Sequence, residues 1–288
     1  MKMTFTPGSN CRAVWIRRGA ALVALVAVTA LAQPSGQAVG GDALPFAKGY
    51  TVTGNYIVGG VDLPAYGVNG YVTGAINMTG VPDGAEILAA FLYWETISTT
   101  TGAALDYEAK FRGLPIKVVK KSSQVLGSDV AGCWVSAGGG QATLNMYRAD
   151  VLGLLPDQLD VDNKPTGRRL VNDADLTKYG YPAHTVTLPQ ATSSAFPHTA
   201  GASLFVIYRD TSQPLTRIVV FEGAHVQKPG AAMTQSIRGF FQSAKVPGVA
   251  KVTQLVGSRL PHSTDKPKFS KKGSNAASMA LDATALNS

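Results

Sequence analysis

The sequence predicts an all-β protein, a β-sandwich of jelly-roll type with short helices. Short apolar segments recur along the 288 residues and are separated by clusters of Gly, Pro, Ser and Thr. Glycine is abundant, with 31 residues, and only 15% of residues are charged, which suits a loop-rich β protein better than a helical enzyme. Residues 87–97 are mostly apolar on both alternating faces, as expected of a central strand between two layers. These features together favour a sandwich.

The first predicted element is an N-terminal signal peptide over residues 1–32. A basic segment ends at Arg17-Arg18, an apolar run follows from Gly19 to Leu31, and Ala30-Leu31-Ala32 fits a small-residue cleavage site. A membrane anchor is disfavoured because the run has about 13 residues, short of the ~20 that span a bilayer. We therefore expect export to the periplasm, the cell surface or the extracellular space, with no stable transmembrane segment after cleavage.

The net charge is less basic than it first looks. Lys2, Arg12, Arg17 and Arg18 lie in the predicted leader, which contains no acid, so its removal takes four charges from +8 and leaves +4. This mild excess is spread along the chain and is not typical of a nucleic-acid-binding surface. We expect no nucleic-acid partner.

The central strand is predicted after the turn Val81-Pro82-Asp83-Gly84, since Pro fixes φ and Gly supplies positive φ. From Ile87 to Ile97 both alternating sets of residues are mostly apolar. A buried helix is the alternative, but the aromatic residues and the flanking turn favour a strand. Tyr93 and Trp94 form either part of its core or a sugar-stacking platform, and a run that is apolar on both faces favours the core.

The remaining elements follow in chain order. We expect a linker at residues 33–44, one β-sandwich domain at 45–260 and a polar, disordered tail at 261–288. The segment 233–242 fits a helix or a strand, and its interior Gly239 favours the strand. Further strands are predicted within 46–61 (two short ones), 66–79, 107–111, 114–119, 133–135, 143–147, 185–188, 202–208, 215–223 and 249–256, with a short helix at 149–155.

Residues 157–183 are polar and are predicted to form a long, irregular surface loop. Five aspartates lie in this stretch, and closely spaced carboxylates are the hard oxygen ligands that Ca²⁺ prefers. The alternative is a solvated acidic loop, since Asp160-Val161-Asp162-Asn163-Lys164 lacks the Gly and the closing Glu of an EF-hand loop. The candidate calcium ligands are Asp157, Asp160, Asp162, Asp173 and Asp175.

Motifs for catalysis are absent from the sequence. It contains no Gly-x-Ser-x-Gly elbow, no phosphate-binding loop and no His-Glu-x-x-His pattern. The four histidines are scattered, which favours surface or core positions over metal ligation. A glycosidase pair could come from Glu86, Glu95, Glu108 and Glu222, but the sequence does not place any two of them at the required separation.

Several core-strand patterns resemble an uncharacterised family of secreted or cell-surface microbial domains, over roughly residues 45–260. The resemblance implies an extracellular β-sandwich and transfers no catalytic residue. The segments that carry it are Gly84 to Thr96, Tyr147-Arg148-Ala149-Asp150-Val151, Gly201 to Asp210, Pro214-Leu215 and Val220-Phe221-Glu222-Gly223.

Taken together, the sequence favours an exported, non-enzymatic domain of structural or adhesive type, without a cofactor other than the candidate Ca²⁺. Its expected partners are a surface polysaccharide or another extracellular protein. A carbohydrate-binding module and a hydrolase or lyase on a β-sandwich are the alternatives. An exposed row of aromatic rings would favour the first alternative, and a cleft with two facing carboxylates the second.

Overall fold

The structure, a computed structural model, describes residues 2–6, 24–28, 44–63, 65–99, 108–117, 125–135, 141–193, 195–226, 233–237, 251–255, 266–270 and 279–280. The described residues are mostly in β-strands, and they include one α-helix. The strands pair antiparallel and form curled sheets. This confirms the predicted all-β class.

The strands follow one another with few other elements between them. An α-helix, α1, spans Asp173–Lys178, and a 3₁₀ turn spans Leu152–Leu154. In chain order the strands are β1 (Lys2–Thr6), β2 (Ala24–Val28), β3 (Phe46–Asp62), β4 (Tyr71–Ile76), β5 (Glu86–Ser98), β6 (Glu108–Phe111), β7 (Leu114–Lys117), β8 (Val125–Val135), β9 (Gln141–Asp150), β10 (Asp157–Leu159), β11 (Pro165–Arg169), β12 (His184–Pro189), β13 (Gly201–Arg209), β14 (Leu215–Phe221), β15 (Met233–Ser236), β16 (Lys251–Leu255), β17 (Lys266–Ser270) and β18 (Met279–Ala280).

An eight-stranded sheet has the order β16-β2-β14-β3-β13-β5-β9-β8. Strand β5 lies between β13 and β9, with Phe91 opposite Phe205 and Tyr93 opposite Arg148. From Ala89 to Ser98 every residue of β5 is buried. The prediction of a central strand with two apolar faces is therefore confirmed.

A four-stranded sheet, β4-β12-β6-β7, covers one face of the large sheet. The two sheets share one apolar cluster, in which Phe111 and Val186 of the small sheet join Leu92, Trp94 and other residues of the large one. Full burial of side chains of this size contributes roughly 1.5–3 kcal/mol each before the loss of chain entropy is subtracted. This cluster is the main core.

The opposite face of the large sheet is curled around a second core. Phe91 and Tyr93 of β5 share this core with Val220 of β14, although β13 and β3 lie between the two strands, and with Leu255 of the edge strand β16. Across the same space, the Tyr56 hydroxyl lies 2.9 Å from the Thr253 hydroxyl. Only a strongly curled sheet brings such distant strands together. We call this side the inner face.

A β-bulge sets the side-chain pattern at the start of β5. Ile207 of β13 pairs with Ala89 and the next residue, Tyr208, pairs with Ile87, so that Leu88 is an extra residue. Strict alternation would place Ile87 on the inner face with Ala89. The bulge instead turns Ile87 into the main core.

Several boundaries differ from the predicted ones. The two short strands predicted within 46–61 form one continuous strand, β3. The predicted irregular loop at 157–183 contains the β10–β11 hairpin and α1, because short polar strands give no alternating pattern. The predicted helix at 149–155 is reduced to the 3₁₀ turn, and 233–236 forms a strand, β15, as favoured.

Strands also occur in the predicted leader and tail. Strand β2 lies between β14 and β16, and β1 pairs with β15 and β17. Both β1 and β2 would be lost by cleavage after Ala32, so the signal peptide stays a prediction. The predicted linker, except Leu44, and most of the predicted tail fall outside the described residues. In the described part of the chain, no helix has the length and apolarity needed to cross a membrane.

Candidate functional site

Charged and aromatic side chains gather on the inner face of the large sheet. Alternating residues of β3 and β5 point into this space, Tyr93 lies directly opposite Arg148, and Glu222 follows the last residue of β14. We call this group the Arg148 cluster. It consists of Lys48, Tyr50, Phe91, Tyr93, Arg148 and Glu222.

An ion pair forms the centre of the Arg148 cluster. Arg148 Nη1 lies 2.8 Å from Glu222 Oε1 and 2.6 Å from Oε2, and the Tyr93 hydroxyl donates a hydrogen bond to Oε1. The Glu222 side chain is 6% exposed, whereas the Arg148 side chain is 23% exposed. The anion therefore lies inside, and the cation lies nearer to solvent.

These contacts set the protonation states of the ion pair. Burial, together with the charge of Glu222, raises the pKa of the Tyr93 hydroxyl, so Tyr93 is a hydrogen-bond donor at neutral pH. Burial alone would lower the pKa of Arg148, but the hydrogen bonds and charge of Glu222 outweigh it and the pKa is raised. The Arg148 guanidinium is therefore firmly charged.

A second cation, Lys48, stands beside this pair. Its Nζ lies 5.2 Å from the centroid of the Tyr50 ring and 5.9 Å from that of Phe91. The guanidinium carbon of Arg148 lies 5.2 Å from the same Phe91 centroid. Both cations are within the range of cation–π attraction. Burial raises the pKa of Tyr50, and the nearby Lys48 partly offsets the rise.

Glu95 is a buried carboxyl group without a partner. It is 1% exposed, lies opposite Met146 on the same strand face as Tyr93, and neither of its carboxyl oxygens has a hydrogen-bond partner in the described structure. Burial raises the pKa of Glu95 to about 8. Glu95 is therefore mostly protonated at neutral pH, in contrast to the ion-paired Glu222.

The structure places the four candidate glutamates in three different settings. Glu95 and Glu222 share the inner face, Glu86 forms a surface ion pair with Arg209, and Glu108 is exposed at the start of β6. One protonated and one ionised carboxyl group are what sugar hydrolysis requires. However, both Glu95 and Glu222 are packed into the interior, at 1% and 6% exposed, so neither is presented to a substrate in this conformation.

The two aromatic residues of the predicted central strand belong to the core. Tyr93 is 1% exposed and Trp94 is 2% exposed. Trp94 stacks on Tyr147 with their centroids 5.2 Å apart and their planes at 14°. The core interpretation is confirmed, and these two rings do not form a sugar-stacking platform.

Three of the five candidate calcium ligands lie in the β10–β11 hairpin, where each has a local role. Asp157 accepts a hydrogen bond from Arg169 Nη1 at 2.9 Å. Asp160 Oδ1 closes the hairpin turn by accepting the backbone N–H groups of Asp162 and Lys164, at 2.9 and 2.8 Å. Asp162 is exposed and lies 3.9 Å from the Lys164 ammonium.

The other two candidates lie on α1. Asp173 Oδ2 accepts the backbone N–H of Met78 at 3.2 Å, and Asp175 Oδ2 accepts a hydrogen bond from Asn172 Nδ2 at 2.9 Å. Among the described residues there is no group of three or more His, Cys, Asp or Glu placed to hold one metal ion. The calcium site stays a prediction.

His184 forms a separate buried polar centre beneath the small sheet. It is fully buried, its ring stacks on Phe111 with centroids 5.7 Å apart, and Nε2 lies 2.8 Å from the carbonyl oxygen of Val171. Nδ1 lies 3.3 Å from Arg112 Nη1. Because Nε2 faces a carbonyl acceptor and Nδ1 faces an N–H donor, the ring is neutral, donates from Nε2 and accepts at Nδ1. Burial, with a smaller contribution from the Arg112 charge, lowers the pKa of His184 to about 4.

Sequence reasoning missed Lys48, Tyr50 and Arg148 as members of a site. The available signal was a basic residue among the apolar residues of a strand, as in Met146-Tyr147-Arg148-Ala149. Comparison with protein-family models, with curated proteins and with solved structures gives no match. The resemblance to a family of secreted domains therefore stays a prediction.

Proposed function

We propose that this chain is an exported, non-enzymatic surface or extracellular domain of structural or adhesive type, built as a jelly-roll-like sandwich over residues 45–260. The observation that carries the proposal is that charged side chains of the inner face are bonded to one another in the interior of the protein. Glu222, Tyr93 and Arg148 hold one another in place inside the protein, with the carboxylate 6% exposed. Polar groups that are satisfied in this way fix the packing of distant strands.

The shared core of the two sheets supports the sandwich part of the proposal. Leu92 and Trp94 of the large sheet pack with Phe111 and Val186 of the small one, as inner faces of a sandwich do. Export is supported by the basic and apolar pattern of residues 1–32 alone. Cleavage after Ala32 would remove β1 and β2 and leave β14 and β16 to pair anew or to form edges.

The test expresses the full chain with its own N-terminus in a bacterial host that has a Sec pathway. We expect the protein in the periplasm or medium, with a mature N-terminus at Gln33 by mass spectrometry. Retention of an uncleaved chain in the cytoplasm would refute export. Release of reducing ends from a panel of polysaccharides would refute the non-enzymatic assignment.

A further inference from the structure

Within this proposed function, the structure leaves one group of cations available for a partner. The exposed Lys48 and the partly exposed Arg148 both lie close to the Phe91 ring, at 5.9 and 5.2 Å from its centroid. Lys48 has no carboxylate partner in the described part of the chain. With the two cations and Glu222 counted together, the Arg148 cluster carries a net charge of +1 at neutral pH.

The arrangement of charge across the cluster matters more than its sum. Glu222, at 6% exposed, lies deeper than Arg148, at 23%. An approaching anion therefore meets the guanidinium and the ammonium before it meets the Glu222 carboxylate. A field of this direction attracts acidic ligands and repels cations.

We propose that Lys48 and Arg148 form a binding site for the carboxylate of an acidic saccharide, a uronic acid residue of a polysaccharide. Lys48 supplies an ammonium point charge, and Arg148 is held by Glu222 and Phe91 so that its geometry is fixed before the ligand arrives. The half-buried Tyr50 adds an aromatic ring beside the ammonium, with its hydroxyl buried. A sugar acid offers C–H faces besides its charge, and so matches this mixture of cations and an aromatic ring better than an isolated carboxylate does.

The test titrates the full chain with polygalacturonate, with dextran as the neutral polysaccharide and polyglutamate as the acidic polypeptide. We expect binding of polygalacturonate that weakens as NaCl is added, and little binding of dextran. Lys48→Gln is expected to lower the affinity about tenfold, as loss of one charge-assisted contact does. Lys48→Glu is expected to abolish binding.

Lys164→Gln is the matched control, because Lys164 is an exposed lysine in the β10–β11 hairpin. An equal loss for Lys164→Gln would overturn the site, as would equal binding of polyglutamate or no binding of polygalacturonate. Reducing ends are measured in the same samples. Their release would refute the non-enzymatic function, whereas absence of binding without release would refute the saccharide site alone.

Discussion

Arg148 Nη1 lies 2.6 Å from Glu222 Oε2, although three strands of the sheet separate β9 from β14. Arg148 lies on β9 and Glu222 follows β14, so β5, β13 and β3 run between them. The ion pair therefore closes the curl of the sheet across its inner face.

We expect removal of one partner of this pair to cost more than removal of both. Arg148→Leu leaves the Glu222 carboxylate buried and unpaired, and such losses cost about 3–5 kcal/mol. The double variant Arg148→Leu, Glu222→Leu removes both charges and is expected to recover more than half of that cost. Urea unfolding of the two single variants and the double variant measures the coupling. If the losses in unfolding free energy of the two single variants summed to the loss of the double variant, the ion pair would not stabilise the curled sheet.

From Glu95 we expect the stability of the protein to fall as the pH rises from about 4.5 to about 8. Its pKa is raised from 4.5 to about 8 in the folded protein, so between these values the folded state binds more protons than the unfolded state. The free energy of unfolding falls as the pH rises from about 4.5 to about 8, by on the order of a few kcal/mol, and then levels off. Glu95→Gln is expected to remove this slope and to be the more stable protein at pH 8.

The control for Glu95 is Glu108→Gln, an exposed glutamate at the start of β6. Chemical denaturation at several values of pH compares both variants with the unmodified chain. If Glu95→Gln kept the full pH dependence of the unmodified chain, the buried and unpartnered position of Glu95 would be wrong.

From His184 we expect a second pH dependence of the free energy of unfolding, below neutral pH. Its pKa is lowered from 6.5 to about 4, so between these values the unfolded state binds more protons than the folded one. The contribution of the neutral ring is complete above about pH 6.5 and is lost as the pH falls from there to about 4. His184→Gln keeps a donor and an acceptor and is expected to flatten the profile in this range. An unchanged profile would contradict the assignment, with His225→Gln as the control outside this network.

Two glycines of β3 provide a steric test of the register between β3 and β13. A Cβ atom added at Gly54 would lie 2.1 Å from the carbonyl oxygen of Tyr208, which is backbone and does not give way easily. A Cβ at Gly60 would meet nothing closer than 3.5 Å. Gly54→Ala is expected to destabilise the protein by ~2 kcal/mol or more, whereas Gly60→Ala is expected to be neutral or slightly stabilising. Similar midpoints of thermal unfolding for the two variants would show that the register is different.

The sequence predicted those parts of the fold that rest on local pattern. The two apolar faces of β5 identified it as central, and the same pattern placed Trp94 in the core. The bulge at Leu88 could not be predicted, because it depends on which residue of β13 lies opposite. The β10–β11 hairpin was missed because its strands are short and polar.

The candidate site was harder to predict than the fold. Tyr93, Arg148 and Glu222 are far apart in the chain; strand pairing places Tyr93 opposite Arg148, and the curl of the sheet brings Glu222 to both. Alternation along β5 does place Glu95 on the same face as Tyr93. The alternation does not reveal that Glu95 lacks a hydrogen-bond partner whereas Glu222 has two. The partners of a buried carboxyl group depend on the side chains that other strands contribute.

The position of β5 at the centre of the structure is tested most directly by native-state hydrogen exchange of the full chain, read by mass spectrometry. The backbone of Phe91 to Trp94 is paired with strands on both sides, and these residues are buried. We predict that their backbone amides exchange only through global unfolding and are among the slowest in the protein. Exchange of these amides within seconds at neutral pH, while β3 and β14 stay protected, would contradict the account.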